Sequence, residues 1–245
     1  MNKILVQNTP FKFTQNILCS PVDSLEIYGL NINNNLYKNY FINKPNVILL
    51  SSTHITSEII HFIEDFYNDI KIYIYHYNSE KIENMLTVFQ PYNMHHLCHT
   101  DAQSDNIIKI PDNLINDKLF NMDFDKQDKE NGIVCFLDGL RTIPKALEEN
   151  LYPNKILPLK MFNNPGTPHV QNLGPIDEPT KAELLKQYTH YLSCQAMNDY
   201  STESGACGCV RLSLSDLANF QDAPYTEPDI EYTSYTQFIM EKIIS

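Results

Sequence analysis

QAMNDYSTESGACGCV, residues 195–210, decides how the rest of the chain is read. It follows YTHYLSC, residues 188–194, a short apolar run with the pattern of a buried strand. Asn198 and Asp199 mark a turn, and Ser201 or Thr202 is placed to cap a short helix whose first turn holds Glu203. Gly205 and Gly208 punctuate that helix, and Cys209 to Ser213 reads as the next strand. A strand, a loop and a helix N-terminus with free N–H groups suit a phosphate, and a neighbouring carboxylate suits a ribose diol. In outline this is a nucleotide site.

Working outward, the first half of the chain alternates strand and helix patterns. Lys3 to Gln7, Ser24 to Leu30, Asn46 to Ser51, Ile70 to Tyr75 and Met94 to Cys98 read as strands, while Ile55–Tyr67 and Glu80–Phe89 carry a helical period. Charged NMDFDKQDKEN, residues 121–131, reads as a linker or exposed turn. The alternation then restarts. Gly132–Leu137 is a buried strand, Lys155–Phe162 a strand interrupted by Pro158, and Thr180–Tyr188 a helix, started by Asp177 to Thr180, leading into the opening stretch. Ser234–Ile244 is a C-terminal helix. Strands separated by helices argue for α/β architecture with mostly parallel sheets, whose ligands bind at the strands' carboxyl ends.

The 245 residues have room for one large domain or two small ones. A net charge of −12 and the absence of any basic run argue against nucleic acid and anionic membrane surfaces as partners. Cys19, Cys98, Cys135, Cys194, Cys207 and Cys209 form no disulfide framework and are expected to be reduced. No apolar run approaches the roughly 20 residues of a membrane span, and the N-terminal apolar run is too short for a signal peptide, so a cytoplasmic location is expected. The cluster His95, His96, Cys98 and His99 resembles a metal site, but His95 and His96 point to opposite faces of a strand and cannot converge on one ion.

Three segments, in order, resemble retaining glycosyltransferases of GT-B fold, in the family 4-like group. Residues 195–210 resemble the signature E-x7-E followed by A-x-A-x-G-x-P-V, with Gln195 at the first acidic position, Glu203 at the second, and Cys209 where proline is usual. Residues 108–120, IKIPDNLINDKLF, resemble I-x-V-I-P-N-G-V-D-x-x-x-F, with Asp112-Asn113 in place of Asn-Gly. Residues 138–145, DGLRTIPK, resemble the G-R-L-x-x-x-K-G loop. Val170–Tyr188 further fits the family's run into the signature strand.

The resemblance implies two Rossmann-like domains, residues 1–115 on the acceptor side and 132–245 on the nucleotide-sugar side, joined by a linker at 116–131. It also implies a cleft between them and a C-terminal helix packed across the interdomain face. Gly139, Arg141 and Lys145 would hold the donor diphosphate, with Ser201 and Thr202 adding hydroxyl contacts from the helix N-terminus. Glu203 would accept from the ribose hydroxyls. Gln195 would face the donor sugar, and His99 matches a histidine near it; His54 ends another strand. The implied reaction moves a sugar from a nucleoside diphosphate donor to a hydroxyl of a glycan, lipid or protein, with retention, no obligate metal and no further cofactor. Gln195 keeps open a non-catalytic nucleotide-sugar binder or assembly protein. A viral-type enzyme glycosylating DNA bases is the third reading. Donor base, sugar, acceptor and oligomeric state are not legible.

Overall fold

Strands β3 (Val47–Ser51) and β4 (Lys71–Tyr75) are apolar almost throughout, and β1 (Asn2–Asn8) is so at its centre, Ile4–Val6, the mark of strands covered on both faces. In the computed structural model of the chain they form the middle of a six-stranded sheet. Its order is β2-β1-β3-β4-β5-β6, with β2 at Leu25–Asn31, β5 at His95–Cys98 and β6 at Ile107–Lys109. Every neighbouring pair is parallel. The structure describes residues 1–20, 22, 25–31, 35–77, 82–92, 94–100, 105–122, 129–137, 159–162, 174, 176–194, 199–213 and 231–245; of 83–85 and 159–162 it describes the backbone alone.

Strand alternation divides the first core in two. Ile4, Val6, Val47, Leu49, Tyr73 and Tyr75 face one way, toward Phe13 and Ile17 of helix α1 (Lys12–Leu18). The same layer receives Tyr235 and Phe238 of α7 (Tyr235–Phe238) and Ile239 and Ile243 of the π-helical turn Ile239–Ile244 that continues it. Leu5, Ile48, Leu50, Ile72 and Ile74 face the other way. They meet Leu36 of α2 (Leu36–Asn43), Ile59, Phe62 and Ile63 of α3 (Ser57–Phe66), and Phe89 of α4 (Ile82–Phe89).

A second sheet holds β8 (Glu130–Phe136), β9 (Leu159–Phe162), β10 (Tyr188–Leu192) and β11 (Val210–Leu212) in the order β11-β10-β8-β9, again all parallel. Counted by order of appearance, both sheets run second, first, third, fourth. Helices α5 (Glu178–Gln187) and α6 (Ser201–Ala206) belong to this sheet, and Phe120, Val134, Phe136, Leu185, Tyr191 and Tyr200 fill its core. Contacts divide the chain into residues 1–114 with 233–245, and residues 115–232. The return to the first unit starts where β12 (Thr233–Ser234) pairs with β7 (Leu114–Ile115) and Thr233 N–H donates to the Asn113 carbonyl at 3.0 Å.

Several expectations are corrected. The span 116–131 is not a linker throughout: Phe120 is fully buried in the second core, and Glu130 and Asn131 already belong to β8, with 123–128 outside the described residues. The C-terminal helix groups with the first sheet rather than with residues 132–232, because its apolar residues complete that core. Helices α1 and α2 carried no expected element. The Lys155–Phe162 strand is described only from Leu159 onward. The start of helix α5 at Asp177 to Thr180 is as expected: Asp177 caps it through a 2.9 Å bond from Thr180 N–H to Asp177 Oδ1.

Candidate functional site

In an open parallel sheet the ligand crevice lies beyond the carboxyl ends where strand order reverses. In the second sheet that point falls between β8 and β10, at Phe136–Leu137 and Ser193–Cys194. Gly139, Arg141, Lys145 and Gln195, expected at this edge, lie outside the described residues. What is described is the approach to α6. Asp199 Oδ1 accepts from Ser193 Oγ at 2.8 Å and from Tyr191 Oη at 3.2 Å, and Tyr200 N–H donates to Tyr191 Oη at 3.1 Å. The segment before α6 is thereby fastened to the strand that precedes it.

Tyr200 caps α6, with no side-chain cap bond; neither Ser201 nor Thr202 takes the capping place, and both sit inside the first turn, partly exposed. Glu203 shares that turn but is 0% exposed. A ribose reaches Glu203 only if its covering neighbours part, whereas the two hydroxyl residues are already accessible. The helix stops where the resemblance has small residues. Gly208 adopts φ +74°, Gly208 N–H bonds the Gly205 carbonyl, and Cys209 N–H bonds the Ser204 carbonyl, the paired closure that turns the chain into β11.

Two lysines, Lys181 buried and Lys129 partly buried, hold this region together. Lys181 Nζ donates to Glu178 Oε1 at 3.0 Å and to Tyr200 Oη at 2.9 Å, while Tyr200 Oη donates to the same carboxylate at 2.5 Å; all three residues are buried. The ammonium also lies 4.7 Å from the centre of the Tyr200 ring. This trio ties the first turn of α5 to the residue that opens α6. Lys129 acts at the opposite helix ends. Its Nζ donates to the carbonyls of Leu185, Tyr188 and Cys207 at 3.0, 2.9 and 2.8 Å, so one cation serves the C-termini of both helices. Burial lowers its pKa, with Cys209 and Cys207 opposing. Neither cation was singled out from sequence. Lys129 sits in a run dense with charge, NMDFDKQDKEN at 121–131.

The carboxyl edge of the first sheet is different. There β1 and β3 mark the reversal, and the polar side chains bond one another. Gln7 Oε1 accepts from Ser51 N–H at 2.8 Å, Gln15 Nε2 donates to Asn8 Oδ1 at 2.7 Å, and the Thr9 and Thr14 hydroxyls lie 2.6 Å apart. Thr53 Oγ1 bonds His54 Nδ1 at 2.7 Å, and Phe11 stacks on Tyr77 with centroids 4.1 Å apart. His99 follows β5 here, exposed, its ring edge-on to Tyr75 at 6.2 Å. Desolvation lowers its pKa, Lys12 adding to the shift and Asp112 opposing it.

His95 and His96 diverge as strand alternation requires. His95 stacks on Tyr73 at 5.1 Å, whereas His96 Nδ1 meets His76 Nε2 at 2.8 Å in the interior. Burial lowers the pKa of His76 and of His96 to about 4 each, so the pair is neutral at pH 7. Among the described residues, no three His, Cys, Asp or Glu side chains are grouped to hold a metal ion. A cavity of about 710 Å³, lined by Tyr40, Lys44, Phe66, Lys71 and His95 among others, opens at the amino end of the first sheet, away from the strand ends that bind ligands in such folds. Among the described residues no helix is long and apolar enough to cross a membrane.

No protein-family model and no curated protein matches the chain. Among solved structures, one similar chain is that of a protein from Listeria monocytogenes described as a UDP-N-acetylglucosamine 2-epimerase. Identity is 9% and the TM-score 0.39, over 86% of this chain and 78% of that one. A likeness of that size assigns no residue and no reaction.

Proposed function

We propose that the chain is a glycosyltransferase that moves a sugar from a nucleoside diphosphate donor to a hydroxyl acceptor, with retention and without an obligate metal. The reading is carried by the order β10, α6, β11, in which Glu203 enters the first turn of the helix that follows a strand at the sheet's reversal point. That is the order of parts that the signature resemblance calls for, and a helix N-terminus there suits a phosphate. Arg141 and Lys145 would offset the charge on the departing diphosphate, with Ser201 and Thr202 adding hydroxyl contacts and Glu203 receiving the ribose. Gln195 would bond the donor sugar, and His99 would act from the first sheet.

The complete burial of Glu203, together with an amide at position 195, favours one alternative, a nucleotide-sugar binder that does not turn its ligand over. One experiment separates the readings. Thermal stability is measured against the five common nucleoside diphosphates and their sugar conjugates, followed by assay of released diphosphate. A true donor at about 100 times its Kd stabilises the native state by about 2.7 kcal/mol. A saturable shift with one base, lost in Lys145→Ala and Glu203→Ala and accompanied by diphosphate release, is the expected result. A shift without release selects the binder, and no shift with any ligand overturns both.

A further inference from the structure

Cys135 is the penultimate residue of β8, and Cys194 lies two residues beyond β10, so the two thiols flank the reversal point of the second sheet. Their sulfurs are 3.3 Å apart. That is a hydrogen-bonded thiol pair, closer than unbonded sulfurs need to be and about 1.3 Å longer than a disulfide. The partners differ in access. Cys135 is 0% exposed, and Cys194 is partly open to solvent. We propose that Cys135 and Cys194 are a redox pair that closes to an intramolecular disulfide, with Cys194 the attacking thiol and Cys135 the resolving one.

The assignment of roles follows from access and from the bond between the sulfurs. A Cys135 S–H donated to the Cys194 sulfur favours the Cys194 thiolate, which lowers its pKa, while the same bond and burial raise that of Cys135. The carboxylate of Asp199 opposes ionisation of both, and Tyr191 packs nearby with its own pKa raised by burial. Cys98, Cys207 and Cys209 are buried, and burial pushes the Cys207 and Cys209 thiols up, Cys209 to about 11. Cys19 is partly exposed like Cys194, but belongs to the first unit. Accessibility and a second thiol within bonding reach therefore coincide at Cys194.

The step balances with a small-molecule disulfide as oxidant, glutathione disulfide being the probe. The Cys194 thiolate attacks one sulfur of the probe, forming a mixed disulfide and expelling one glutathione thiolate, which takes up the proton Cys194 lost. Cys135 loses its proton and attacks the Cys194 sulfur, expelling the second glutathione as a thiol. Two protein thiols are oxidised, one glutathione disulfide is reduced, and two glutathione thiols leave. Closure needs the sulfurs to approach by about 1.3 Å.

This inference goes beyond the glycosyltransferase reading and does not depend on it, since its readout is covalent. The reduced protein is incubated with excess glutathione disulfide, quenched with an alkylating agent, digested and analysed by mass spectrometry. The expected product is a Cys135–Cys194 linked peptide with two hydrogens lost and no retained glutathione. In Cys135→Ser, Cys194 should retain glutathione as a stable mixed disulfide. In Cys194→Ser, Cys135 should stay a thiol. Native far-ultraviolet circular dichroism of both variants is the control for folding. Finding only the mixed disulfide in the unsubstituted chain, an unreacted Cys194, or a link to another cysteine overturns the proposal.

Discussion

Every side chain from Val47 to Ser51 is buried in the first sheet, among hydrocarbon and aromatic rings on both faces. The described polar residues buried with them, Gln7, Thr9, Thr14, Asn16, His76 and His96 among them, include no carboxylate and no ammonium. The second sheet has the same winding but a different interior. Its described residues bury Glu178, Lys181, His190, Glu203 and Ser204 beside Tyr191 and Phe136, and two lysines bond groups from separate helices. An apolar interior is forgiving of detail, since each contact is weak and replaceable. A polar interior holds only while every partner is present, because a stranded charge costs far more than a lost methyl. The first sheet is therefore built for bulk stability, and the second for placing particular groups at particular points near the strand ends where the proposed donor site lies.

The sharpest way to break that contrast is Lys181→Ala, which takes the countercharge from the buried Glu178 carboxylate. It should cost about 3–5 kcal/mol, read by hydrogen exchange as loss of protection confined to residues 115–232. Leu50→Ala in the first sheet should cost a similar sum, about 2–5 kcal/mol, by leaving a cavity. Only the polar loss should be repaired by a second change: Glu178→Leu with Lys181→Met should recover most of it. Failure of that rescue would place the two interiors in one class.

Acid titration tests the one ionisable pair deep in the first sheet. His76 and His96 have folded pKa values of about 4 against an ordinary 6.5, so the unfolded chain binds more protons between those values. Stability should be full above about pH 6.5 and fall as pH drops toward 4, by up to about 3 kcal/mol for one such ring. Denaturant midpoints in His76→Leu/His96→Leu should vary less over that window. An unchanged pH slope in the double variant would sink the assignment. Smaller still, Lys129→Met removes three carbonyl bonds at two helix ends and should cost about 2 kcal/mol in urea denaturation, with no effect on protection in the first sheet.

What was legible in the sequence divides along the same line. Strands β3 and β4 and helix α3 were readable because unbroken or strictly periodic hydrocarbon has one physical meaning. Helix α1 was not, because Thr14 and Asn16 occupy its buried side beside Phe13 and Ile17 and disguise the period. Helix α2 buries Leu36 while exposing Phe41 and Ile42 by 60% and 67%, so its apolar residues mark the wrong face. At the candidate site, the short helix and the glycine stop were visible in residues 195–210, while the expected turn at Asn198 lies outside the described residues. The burial of Glu203, the Lys181 trio and the Cys135–Cys194 approach were not. Each depends on residues brought together by the fold, and a charged residue among charged neighbours reads as solvated until its partners are known.

Residues 233–245 return to the first unit after the whole second unit has been made, and Tyr73 Oη bonds the Ile243 carbonyl at 3.0 Å at the end of that return. On a ribosome this sets an order of events. One face of the first sheet is synthesised before the second unit but stays without Tyr235, Phe238, Ile239 and Ile243 until residues 115–232 have been made. During that interval its apolar residues are available to chaperones or to a neighbouring nascent chain. The turn Ile239–Ile244, made after the second unit, acts as the latch on a sheet made before it.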